Sequence, residues 1–64
     1  HDVTIGRPYQ ILYRPRSSDG AWFPWSGFER RPIRDRAVAR LEELHPDRSW
    51  ATQDHDEPLV ERKA

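Results

Sequence analysis

Tyr9-Gln10-Ile11-Leu12-Tyr13-Arg14-Pro15, followed after a polar gap by Ala21-Trp22-Phe23-Pro24-Trp25, is the stretch that decides the fold. The first run is rich in strand formers and alternates with a period of two. An extended backbone therefore places Tyr9, Ile11 and Tyr13 on one face and Gln10, Leu12 and Arg14 on the other. Pro15 ends the strand. Arg16-Ser17-Ser18-Asp19-Gly20 reads as a hairpin loop, with Asp-Gly supplying positive-φ turn residues. Residues 21–25 form the return strand. Pro24 has no N–H to give to a ladder, which assigns this strand to a sheet edge.

Further along the chain, Ser26-Gly27 bends the backbone, and a helix is expected from Pro32 to Leu44. Proline is tolerated in a first turn. Ile33, Ala37, Leu41 and Leu44 recur at helical spacing, with Val38 widening the stripe. His45-Pro46 ends the helix, and His45 is expected to cap it and to favour its negative pole. Asp47-Arg48-Ser49 leads to a third strand, Trp50-Ala51-Thr52-Gln53. In the other direction, Val3 and Ile5 alternate as a short edge strand would, before the breaker cluster Gly6-Arg7-Pro8. The chain begins at His1 rather than methionine and is expected to be trimmed, tagged or only partly ordered, so His1-Asp2 is given no role.

The expected organisation is an arm at residues 1–8, a single ββαβ domain at residues 9–53 and an acidic, flexible tail at residues 54–64. The fold class is α+β: a three-stranded, mostly antiparallel sheet in the order 2-1-3, with one helix packed on one face.

Composition narrows the function. Sixty-four residues hold 11 basic and 11 acidic side chains, 34% hydrophobic residues, six prolines, and neither cysteine nor methionine. A disulfide scaffold, a thiolate metal site and a cysteine nucleophile are excluded. No apolar run exceeds three residues, against the roughly 20 needed for a spanning helix. No leader segment is recognisable, and the lack of cysteine is compatible with the cytoplasm, which is the expected location. Below about 70–80 residues a core rarely supplies more than about 3–5 kcal/mol, so seven aromatic residues must do much of the packing.

The net charge of zero hides an asymmetry. Residues 1–40 carry eight arginines and four acids; residues 41–64 carry three basic residues and seven acids. The two halves thus differ by sign, through either mutual neutralisation within the fold or a basic binding face beside an acidic tail.

Nothing in the sequence points to catalysis. The serines lie in loops without a recognisable base pattern, Glu42 and Glu43 are neighbours that face different ways on a helix, and no nucleophile elbow, phosphate loop or zincin motif is present. Asp54-His55-Asp56 does not converge as a metal site requires. No catalytic residue, cofactor or metal is expected, and the chain is read as a non-enzyme.

Two features suggest a partner. A single helix covers one face of a three-stranded sheet. Unless a bulge intervenes, one tryptophan of the second strand then remains on the uncovered face. With Tyr9, Ile11, Tyr13, Phe23 and Trp25 toward the helix, Trp22 falls on the open side beside Gln10, Leu12 and Arg14, although the opposite assignment of the second strand is also open. An exposed indole beside arginine suits a protein interface or base stacking. It can equally be covered by residues 3–5, by Leu59-Val60 or by a second copy of the chain. The second feature is the cluster Arg30, Arg31, Arg34 and Arg36 at the positive pole of the helix. It suits an external anion, internal partners such as Glu57, Glu61 or the Asp54-Asp56 pair, or plain solvation as a wet charged surface. The partner-binding residues expected from the sequence are Arg14, Trp22, Arg30, Arg31 and Arg34, on a protein partner with an acidic surface. Nucleic-acid binding through the same residues and self-association as a homodimer are the alternatives. No membrane partner is expected.

The pattern Tyr9-x-Ile11-x-Tyr13-Arg14, Trp22, Gly27-Phe28, Ala37, Arg40-Leu41, Leu44, Pro46 and Trp50 resembles small ββαβ accessory proteins of phages and mobile elements in high-GC bacteria. The resemblance spans residues 9–53. It implies a small accessory role, in some cases as an inhibitor of host systems or an adaptor, and carries over no functional residue.

Overall fold

The computed structural model describes residues 7–55 and 57–62. Its elements are β1 (Tyr9–Pro15), β2 (Phe23–Phe28), α1 (Arg31–Leu44), β3 (Arg48–Gln53) and β4 (Val60–Arg62). The strands form one sheet in the order β2-β1-β3-β4, every neighbouring pair antiparallel. The alternation at Val3 and Ile5 lies outside the described residues.

The three-stranded sheet expected from the sequence is thus corrected to four strands. The succession 2-1-3 survives within it, and the added strand comes from the segment expected to be a tail. The cause is local. After Gln53 the chain reverses through a turn in which the Glu57 N–H donates to the Asp54 carbonyl at 3.0 Å. The Gln53 side-chain amide donates to the Glu57 carbonyl at 3.3 Å. Val60, Glu61 and Arg62 are thereby delivered opposite Thr52, Ala51 and Trp50. They satisfy backbone groups of β3 that would otherwise form a bare edge.

The hairpin between β1 and β2 also differs from expectation. Its tight turn sits at Pro15–Ser18, closed by the Ser18 N–H donating to the Pro15 carbonyl at 3.0 Å. Gly20 follows in the loop, its N–H held by the Ser18 hydroxyl at 3.0 Å. The return strand starts at Phe23, later than expected, and carries a β-bulge. Ile11 pairs with Ser26 while Leu12 pairs with Pro24, which leaves Trp25 as the extra residue. Pro24 stands on a sheet edge, as its missing N–H demands.

α1 follows from its composition: Pro32 lies in the first turn, good helix formers fill residues 36–44, and Pro46 stands just past the end. The Arg34 N–H donates to the Arg30 carbonyl at 3.1 Å, and the His45 N–H to the Leu41 carbonyl at 2.8 Å. The helix buries a stripe of Arg34, Ala37, Val38 and Leu41. That stripe is rotated from the expected one, so Ile33 and Leu44 stand exposed.

Ile11 and Val38, both at 0% exposure, meet Trp50 in the centre of the core, and Tyr13, Phe28, Ala37 and Leu41 pack around them. With Ala51, also fully enclosed, these are the only buried hydrophobic residues among those described. So small a core makes the surrounding rings and ion pairs matter more than they would in a larger domain.

Candidate functional site

Register fixes which side chains share a face, because residues directly opposite on antiparallel strands point the same way. Tyr13 is paired with both Phe23 and Trp50. These lie on the helix side with Ile11. The bulge brings Trp25 to the same side, where its ring meets Tyr13 at 5.4 Å and Trp50 at 5.4 Å, both edge to face. Phe23 lies 5.8 Å from Tyr13. His45, just past the helix, places its ring 6.1 Å from both Trp25 and Trp50. Its carbonyl accepts from Trp50 Nε1 at 3.4 Å. Five rings therefore form one cluster at the C-terminal end of α1.

The cluster is sealed on one side only. Trp50 is buried, whereas Trp25 is 40% exposed and Phe23 50%. Arg48 completes it. Its guanidinium carbon sits 5.3 Å from the Tyr13 ring centre and 5.5 Å from that of Trp25. Sequence reasoning missed Arg48, yet the signal was present: Arg48 and Trp50 are two apart on one strand and must share a face.

On the opposite face the expected pair is found together. Trp22, half-buried, lies under the Arg14 guanidinium at 4.2 Å. Arg14 is also tied internally. It donates to the Gly20 carbonyl at 3.0 Å and stands 4.0 Å from Glu61 on β4. Gln10, Gly27 and Ala51 at the centre of this face are buried, so the face is not a bare platform. Arg14 acts as a strut holding Trp22 and the hairpin loop against the sheet.

The arginines at the helix start divide. Arg34 is buried, at 3% exposure. It binds Asp54 at 2.7 Å and Asp35 at 2.8 Å, and donates to the Gln10 carbonyl at 3.3 Å. Arg31 reaches the other Asp54 oxygen at 2.7 Å, and both guanidiniums flank the Tyr9 ring. Asp54, at the end of β3, is thus the internal anion that gathers two of these cations. Arg30 and Arg36 remain exposed. The structure therefore unites Arg31 with Arg34 but leaves both remote in role from Arg14 and Trp22.

Among the described residues no three His, Asp or Glu side chains are grouped as a metal site, and no helix is long and apolar enough to cross a membrane. Comparison with family models, curated proteins and solved structures finds no match.

Proposed function

We propose that the chain is a non-enzymatic, cytoplasmic interaction module that binds a protein partner through the aromatic surface around β2. The resemblance to phage and mobile-element accessory proteins adds the narrower reading of an inhibitor or adaptor. One observation carries the reading: Phe23 and Trp25, two of the largest side chains in a protein with a minimal core, stay about half exposed on an edge strand. Large aromatics left in water beside arginine are the composition of interface anchors. Trp22 on its Arg14 strut forms the other flank of the same strand end. The helix start contributes less than its sequence suggests, because Asp54 already occupies Arg31 and Arg34. The same pairing weakens the case for a phosphate backbone as the ligand.

The test compares the wild-type protein with a Phe23→Ser, Trp25→Ser variant whose circular dichroism and melting curve show an intact fold. Retention of a defined protein by the first and its loss by the second is the expected result. A mixed-sequence oligonucleotide is added in parallel while tryptophan emission is followed at two salt concentrations. Saturable, salt-sensitive quenching without any protein partner overturns the reading.

A further inference from the structure

The ring cluster holds a cation that has no acidic partner among the described residues. Arg14, Arg31, Arg34, Arg40 and Arg62 each lie within 4.0 Å of a carboxylate. Among the described residues, none lies within that distance of Arg48. Its guanidinium is nonetheless fixed, seated over the faces of Tyr13 and Trp25. Rings engage the flat face of a guanidinium and leave the N–H donors at its edge available. A cation immobilised in advance also forfeits less entropy when it is bound.

Arg48 also lines a cleft of about 330 Å³, together with Arg16, Glu42, Trp50, Glu61 and Arg62. The two acids of the cleft are already balanced: Glu42 holds Arg62 at 3.1 Å and Glu61 faces Arg14 at 4.0 Å. Arg16 is exposed and has no acidic partner among the described residues. The cations of the cleft without a carboxylate within 4.0 Å among the described residues are therefore Arg16 and Arg48; the exposed Asp47, whose carbonyl accepts the Arg16 N–H at 3.1 Å, borders them without forming an ion pair to either. Arg48 sits in the same cluster as the exposed rings of Phe23 and Trp25.

Resting on the reading of the chain as a protein-binding module, we infer that this end docks a partner segment in which an acidic side chain adjoins a large apolar one. The carboxylate meets the edge of the Arg48 guanidinium, with Arg16 alongside. The apolar side chain covers Trp25 and Phe23. Aromatic surface alone would accept any greasy segment; Arg48 supplies the selection for acid and against basic neighbours.

A random peptide library selected on the immobilised full chain tests this. Enriched peptides are expected to pair Asp or Glu with Leu, Phe or Trp. Their affinity falls roughly 10- to 100-fold in Arg48→Gln, as loss of a charge-assisted hydrogen bond implies, and stays within about twofold in Arg40→Gln, a solvent-exposed charge elsewhere. Circular dichroism confirms that both variants are folded. Enriched peptides that lack acids, or that ignore Arg48→Gln, overturn the inference and leave the protein-binding reading standing. No enrichment, or displacement of bound peptide by an oligonucleotide, overturns both.

Discussion

Arg34 is the residue on which the start of the helix turns. It occupies a helical position facing the sheet and is nearly as buried as Val38. A buried guanidinium is tolerable only with partners, and Asp54, Asp35 and the Gln10 carbonyl supply them. Asp54→Asn leaves Arg34 enclosed without its main counter-charge. We expect a loss of about 3 kcal/mol, as for one broken side of a buried pair, read from urea unfolding. Arg34→Met in the same background should recover part of that loss, since methionine needs no anion. A double mutant as unstable as Asp54→Asn alone would refute this account. In the sequence, Arg34 was legible as part of a basic cluster and Asp54 as an internal partner. Its burial was not legible, because periodicity favoured Ile33 for the inward position and only the rotation of α1 against the sheet brings Arg34 inside.

At the scale of elements, β4 shows how a short strand escapes pattern reading. Three residues give too little alternation to distinguish Val60-Glu61-Arg62 from a polar tail. Its existence depends on the partner, β3, whose free edge templates it, and on the turn that begins at Asp54. β1 could be read because it is long and central. The helix could be read because proline marks both of its ends. The β-bulge could not, since it depends on how β2 seats against β1 at Ile11 and Leu12. A chain ending at Pro58 removes β4 while keeping Asp54 and the turn. It forfeits the ladder to β3 and the Arg62–Glu42 bridge at 3.1 Å. We expect the urea midpoint to fall by the equivalent of about 1–2 kcal/mol. An unchanged midpoint would mean that β4 contributes nothing to the fold.

The whole molecule stands on few enclosed side chains. Ile11, Val38, Trp50 and Ala51 form its buried apolar centre, and every other apolar side chain among the described residues is partly wet. Ile11→Ala removes the side chain at the crossing of β1 and α1, at a cost of about 2–5 kcal/mol. That matches the total stability of about 3–5 kcal/mol expected for a core of this size. The variant should therefore be largely unfolded at room temperature by circular dichroism. A cooperative melt near the wild-type temperature would mean that the ring cluster and ion pairs carry more of the stability than the core.

The sheet's two margins bear on how such a molecule survives in a crowded solution. Along one margin Pro24 withholds a donor and the extra residue Trp25 kinks the backbone; along the other, β4 offers only three residues. Neither outline is a good template for adding strands. Growth into fibrils is discouraged at both ends, so the molecule can carry exposed rings on its surface without seeding amyloid.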